Sequence, residues 1–310
     1  MHDEHKKFVM NIDLNRSRIK NLPSFVFLCG GQIGENNKSY KSVRHYIYSC
    51  IKDSVVPKSQ IIRAEELISW YYSNYYDNLL DMEADLAGLA ATIVLIVESP
   101  GAIAELGSFV LYKNIRNKLI IFMHSDHNRS ESFIREGPIK LFKNHVDQSL
   151  YTYPWKSRKK SSNIDPSSIS DFAPEIAKAI ENRVHQQPQE KTFDSDDSSH
   201  LLLLIADLID IYQAVRLKEI QDVLSTIFDD FSQKTTKMYL NILKNLKMID
   251  SYDIGSDTYY ISIKNNEFMS YGFLPSVKPT HKDRIRWKVR FREINSKKDL
   301  HKQKAIKELK

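Results

Sequence analysis

Residues 92–107 read Thr92-Ile93-Val94-Leu95-Ile96-Val97-Glu98-Ser99-Pro100-Gly101-Ala102-Ile103-Ala104-Glu105-Leu106-Gly107, and this stretch decides the fold. Its first six residues are apolar apart from one threonine and rich in β-branched types, as in a strand covered on both faces. Pro100-Gly101 breaks the chain, and apolar residues resume at helical spacing through Ile103, Leu106, Phe109 and Val110. Outward from here, Phe25–Cys29 is a second buried strand ended by Gly30-Gly31, and Lys118–Met123 is a third. Gln60-Ile61-Ile62 is a shorter strand, and helical patterns fill 36–52, 64–73 and 76–90. Strands alternating with helices imply right-handed parallel crossovers. The expectation is a doubly wound α/β parallel sheet, flavodoxin-like, with helices on both faces.

The chain has 310 residues, which favours two domains. We expect an N-terminal arm over 1–24, the α/β domain over 25–185 with a closing helix near 171–184, and a polar linker over 186–199 (QQPQEKTFDSDDSS). A second domain spans 200–275, and a basic tail spans 276–310. The second domain reads as a helix at about 200–212, a short helix through Leu217, Ile220 and Leu224, and a helix N-capped by Ser232 that runs to Leu246. A hairpin then turns at Gly255-Ser256-Asp257. Three helices and a hairpin are the layout of a winged helix-turn-helix.

Net charge is +6 and the pI about 9.0. Thirteen Lys/Arg and four acids lie between 278 and 310, so the positive charge is concentrated at one end. Candidate phosphate contacts are Lys234, Lys237 and Lys244 on the Ser232 helix, and Arg284, Arg286, Lys288, Arg290 and Arg292 in the tail. The tail alternates basic and apolar residues, as a strand with one basic face or as an arm that clamps phosphates and stacks Trp287. No apolar run is long enough to span a membrane, and the charged start MHDEHKK lacks a signal-peptide core, so a cytoplasmic protein is expected. Cys29 and Cys50 read as buried thiols, and no spacing suggests a metal.

Three segments converge on the carboxyl edge of the expected sheet, where open α/β folds bind ligands. Gly30 and Gly31 let backbone N–H groups approach a ligand, and Gln32 can donate and accept. Asp85 lies on the helix before the Thr92 strand. Glu98, Ser99, Gly101 and Glu105 follow that strand. Glu105, read as a first-turn residue, is expected to be held as an anion by the helix dipole, suiting a nucleophile or cation stabiliser and not a proton donor. Breaking a ribose–nitrogen bond creates an oxocarbenium-like sugar that such a carboxylate can bond or stabilise. Asp85 could hold ribose hydroxyls or protonate the leaving base.

These residues resemble the nucleoside deoxyribosyltransferase family, in FLCGGQIGENNKSYKSV (27–43), in Asp85-Leu86-Ala87-Gly88-Leu89 and in Gly101-Ala102-Ile103-Ala104-Glu105-Leu106-Gly107. The likeness covers roughly 25–125 and implies that Glu105 is the nucleophile. With a winged helix and basic tail added, the chain resembles the ribosyltransferase-like, DNA-binding effectors encoded beside bacterial retrons. That resemblance implies a toxic anti-phage effector restrained by a reverse transcriptase and its msDNA hybrid, working as a homo-oligomer or higher assembly. It would cleave the N-glycosidic bond of a nucleotide, with NAD+ as substrate and no cofactor. Nicotinamide leaves a cationic pyridinium as a neutral molecule, so no general acid is required. The alternatives are a DNA-binding regulator whose α/β domain senses a nucleotide, and a deoxyribosyltransferase of nucleoside salvage.

Overall fold

The computed structural model describes residues 2–35, 39–51, 61–72, 75–129, 131–146, 148–156, 164–263 and 267–308. They form two compact units, one of Pro23–Ser69 and Asn78–Gln187, the other of Met1–Leu22, Trp70–Asp77 and Pro188–Lys310. The chain opens with helix α1 (His2–Val9) and strand β1 (Ile12–Lys20), both in the second of these units.

The α/β unit runs β2 (Val26–Cys29), α2 (Val43–Ile51), β3 (Ile61–Arg63), α3 (Ala64–Tyr72), α4 (Leu79–Leu89), β4 (Thr92–Val97) and α5 (Pro100–Phe109). It continues through α6 (Lys113–Arg116), β5 (Leu119–His124), α7 (Ser125–Arg129), α8 (Lys140–Lys143), β6 (Leu150–Tyr153) and α9 (Ala173–His185). All five strands pair in parallel, in the order β3-β2-β4-β5-β6. The chain runs outward in opposite directions from the β2–β4 pair, so the switch point lies between the carboxyl ends of those two strands. The expected helix over 36–52 begins at Val43, because the Ser42 hydroxyl accepts the His45 N–H at 2.9 Å as an N-cap. Residues 36–38, 52, 60 and 73 of the expected elements lie outside the described residues. Strand β6 carries no continuous apolar run and was not foreseen.

The second unit continues with β7 (Glu190–Thr192), α10 (Ser198–Tyr212), β8 (Val215–Arg216), α11 (Leu217–Ile227), α12 (Gln233–Asn245), β9 (Ile249–Ile254) and β10 (Asp257–Ser262). It closes with β11 (Met269–Phe273), α13 (Arg284–Lys298) and α14 (Leu300–Glu308). One antiparallel sheet is ordered β8-β10-β9, and another β11-β1-β7. The second sheet changes the expected boundaries. Residues read as an arm supply its central strand, and residues read as a linker supply β7.

The basic tail also differs from both readings, since it is two helices. Asp283 caps α13 by accepting the Ile285 and Arg286 N–H groups at 2.8 and 3.2 Å. Trp287 and Phe291, one turn apart, are buried and stack with centroids 5.7 Å apart. Trp287 is therefore core and offers no stacking platform. Arg284 and Lys288, also one turn apart, face α10. Arg284 donates to Asp207 at 3.1 Å and to Asp210 at 2.7 Å, and Lys288 reaches both Asp210 oxygens at 2.9 Å. Asp207 is fully buried and also accepts the Phe268 and Met269 N–H groups and the Tyr271 hydroxyl. This clasp fastens α13 and β11 to α10. Replacing Arg284 with Ala strands a buried carboxylate and is expected to cost about 3–5 kcal/mol. Lys288→Ala, which removes a more exposed cation, should cost far less, and chemical unfolding of the two variants checks the difference.

Candidate active site

Side-chain alternation along the strands divides the site into two halves. Val94 and Ile96 share a core with Val26, Leu28, Ile120, Phe122 and residues of α2 and α9. Phe27 faces the other way, 6.3 Å from Phe109 of α5. The same alternation puts Glu98, one residue past β4, on the α2 side and Cys29, the last residue of β2, on the α5 side.

Glu98 is fully engaged on its side. Its carboxylate accepts the N–H groups of Gly31 at 3.0 Å, Val43 at 2.7 Å and Arg44 at 2.9 Å. It thereby caps α2 and pins the glycine turn, and burial raises its pKa despite the three donors. Buried Arg44 completes the knot, donating to Gly31 O at 2.5 Å and Leu28 O at 3.2 Å and pairing with Glu65. Gly30 has a φ of +148°, and a Cβ there would lie 3.0 Å from the Ile96 carbonyl oxygen. A Cβ on Gly31 would lie 2.7 Å from Ser42 Cβ and 2.9 Å from the Glu98 carboxyl. Packing of the turn thus explains both glycines. Ser99 caps α5, accepting the Ala102 N–H at 3.2 Å. The Gln32 carbonyl accepts the Ser42 hydroxyl at 2.8 Å, while Gln32 and Gly101 are exposed. Glu98 and Ser99, candidates for substrate contacts from sequence, both hydrogen-bond the backbone of the turn and helix starts around them.

Glu105 lies on the other side. It is the sixth residue of α5, beyond the first turn, where the helix dipole has little hold. Its Oε2 is buried and makes no hydrogen bond among the described residues. Burial, with the like charge of Glu83 second, pushes its pKa up to about 8, against a smaller lowering by Arg44. The expected dipole-stabilised anion is therefore corrected: desolvation dominates, and Glu105 can hold a proton near neutral pH. Glu83 of α4 was not foreseen. It is buried, and desolvation raises its pKa to about 7. The fully buried Cys29 thiol feels both carboxyls, which with burial raise its pKa. Asp85 is half-buried on the same helix. Glu83 acts on Glu105 through its charge, and Asp85, two residues further along α4, lies on a different face of that helix. The signal for Glu83 was an acid on the apolar stripe that includes Met82, Leu86 and Ala87.

The basic candidates are distributed differently. Lys234 pairs with Asp77, Lys237 lies over Tyr75, and Lys244 donates to Ser251. Arg284 and Lys288 belong to the buried clasp. Arg286, Arg290 and Arg292 are exposed on α13, with Arg286 near Asp283 and Arg290 paired with Glu4. Among the described residues, no group of three His, Cys, Asp or Glu is arranged to hold a metal ion. No helix among them is long and apolar enough to cross a membrane.

Fold and candidate site define a class, a two-unit α/β protein with desolvated carboxyls near the switch point of its parallel sheet. The chain belongs to the STM3845 retron effector protein family, whose model matches residues 40–251. It is 28% identical over 264 residues to the Escherichia coli "Retron Ec73 putative ribosyltransferase/DNA-binding protein", covering 82% of this chain and 81% of that protein. It is 32% identical over 132 residues to the Escherichia coli "Retron Ec86 putative ribosyltransferase/DNA-binding protein", covering 42% and 41%.

A carboxyl whose pKa rises from 4.5 to about 8 on folding favours the native state below its unfolded value, and that contribution is lost as pH rises through 8. Glu105→Gln, an uncharged isostere, should match the parent in stability near pH 5. Near pH 9 it should be more stable by roughly 1–3 kcal/mol. Thermal unfolding at the two pH values measures the difference.

Proposed function

We propose that this retron effector is an N-glycosidase whose Glu105 attacks or stabilises C1′ of a nucleotide ribose, with NAD+ as the substrate. The observation that carries the reading is the buried, unpartnered Glu105 Oε2 beside Glu83 at the β2–β4 switch point. A carboxyl held out of water without donors is costly, and a cationic substrate supplies the missing counter-charge. Relatives whose names include ribosyltransferase support the reaction class.

In the proposed reaction the C1′–N bond of NAD+ breaks, and its electron pair goes to the pyridinium nitrogen, releasing neutral nicotinamide. Glu105 Oε2 takes up C1′ or faces the oxocarbenium ion. Water then adds at C1′, any C1′–Oε2 bond breaking with its electron pair returning to the Glu105 carboxylate, which gives ADP-ribose, and the proton of the water passes to the Glu83 carboxylate. Asp85, the sequence candidate for the ribose hydroxyls, is one helical face away from the pair. The exposed Gln32, in the turn after β2, and Gly101, in the first turn of α5, are candidates for contacts to the nicotinamide ribose.

The order α10, β8, α11, α12, β9, β10, with the sheet β8-β10-β9, supports reading this part of the second unit as a winged helix with α12 as recognition helix. In this reading a reverse transcriptase and its msDNA hold the effector in check, and phage infection releases it as a toxin in defence. Family membership supports that setting. A homo-oligomer or higher assembly and a cytoplasmic location belong to the same proposal.

Glu105→Gln should abolish nicotinamide release from NAD+, by at least about a hundredfold in rate. For the parent protein kcat/KM should rise with pH through about 8, as Glu105 loses its proton. Glu83→Gln removes the neighbouring negative charge and should move that rise to lower pH. Chromatographic assay of nicotinamide across pH tests all three. Unchanged cleavage by Glu105→Gln would overturn the assignment.

A further inference from the structure

The basic face of α12 is already occupied by the chain itself. Both carboxylate oxygens of Asp77 reach Lys234 Nζ, each at 2.6 Å. Lys237 Nζ lies over the Tyr75 ring, 5.3 Å from its centre. The Tyr71 hydroxyl donates to the Asp77 carbonyl at 3.1 Å and holds the bend. These residues come from the α3–α4 connection, within the α/β domain by chain order, yet Trp70–Asp77 packs with the second unit. Lys234 and Lys237 are two of the three helix lysines assigned to phosphate contacts.

We infer that Tyr75 and Asp77 are a built-in competitor for the phosphate backbone of duplex DNA, so that DNA engages α12 by displacing Asp77 from Lys234. This rests on the reading of α12 as a nucleic-acid-binding helix. A carboxylate offers two anionic oxygens to one ammonium group, the same demand that a phosphate satisfies. The aromatic face beside it holds the second ammonium by cation–π attraction. In the free protein one cation is thus paired with a counter-charge and the other is held over a ring, and both are released together when the segment leaves. The Lys234–Asp77 pair is solvent-exposed, at 49% and 80% for the two side chains, so displacing it lowers DNA affinity by no more than roughly fivefold.

The segment has a second consequence for the chain. Asp77 immediately precedes Asn78, whose side chain caps α4 by accepting the Asp81 N–H at 2.9 Å. Glu83 is two residues further along that helix. A polyanion that removes Asp77 therefore acts on the residue next to the cap of the helix that carries Glu83.

The test is fluorescence anisotropy of a labelled short DNA duplex with the full-length parent, Asp77→Asn, Tyr75→Ala and Lys234→Ala, over a salt series. Asp77→Asn is expected to bind roughly two- to fivefold tighter than the parent, and Tyr75→Ala to shift in the same direction. Lys234→Ala should bind more weakly, with a log–log salt slope shallower by about 0.9. Equal or weaker binding by Asp77→Asn, with Lys234→Ala still impaired, would overturn the competition while leaving the nucleic-acid reading of α12 intact. If Lys234→Ala also binds as the parent does, that reading falls and the inference with it. Absence of DNA binding by every variant, with binding of an acidic protein instead, would overturn both.

Discussion

Two desolvated carboxyls close enough to feel one another's charge, Glu83 and Glu105, are the constraint on which the reading of the α/β unit depends. Burying an ionised carboxylate is costly unless hydrogen bonds or counter-charges meet it. The protein meets that demand elsewhere. Glu98 receives three backbone N–H groups, and buried Asp207 receives two N–H groups, a tyrosine hydroxyl and a guanidinium. Glu105 Oε2 receives no donor among the described residues, and Glu83 next to it is buried on an apolar helix face. Arg44 is close enough to lower the Glu105 pKa, but its donors are already given to Gly31, Leu28 and Glu65. Each of the two carboxyls therefore holds its proton into the neutral range and leaves an unfilled demand for positive charge. An oxocarbenium-like sugar or a pyridinium nucleotide meets that demand, and water or a neutral ligand does not.

Strand parity makes this division of labour possible. Glu98 and Glu105 are seven residues apart, yet they work on opposite faces of one sheet edge. Alternation along β4 carries Glu98 to the α2 side, where it organises the turn. The helix that follows returns Glu105 to the side of Cys29 and Phe27. Rigid support and reactive group thus come from one short segment, and the glycines of the turn pack against the support instead of opening a path for ligand.

The parts of this arrangement that were legible in the sequence are those with strong local signals. The apolar runs ending at Cys29, Val97 and near Met123 gave three of the five parallel strands, and the break at Pro100-Gly101 located the helix bearing Glu105. Glu83 escaped because an acid on a helix is ordinarily solvated, although its spacing from Leu86 and Ala87 put it on the buried stripe. The protonation of Glu105 escaped because the dipole argument ignored both its distance from the helix start and its burial. In 284–292 the same residues satisfy period two and the i, i+4 spacing of a helix, and the Asp283 cap decides for the helix. Strands β1 and β7, IDLNRSRIK and EKT, are too polar to announce themselves, so a sheet joining distant parts of the chain read as an arm and a linker.

The central claim is that Glu83 and Glu105 each keep a proton into the neutral range. Carbon-13 NMR titration of protein labelled at the glutamate side-chain carboxyl measures it directly. The account predicts two resonances that titrate between about 7 and 8, the higher of which is lost in Glu105→Gln and moves to lower pH in Glu83→Gln. If every glutamate resonance completes its titration near the ordinary value of 4.5, the account is contradicted.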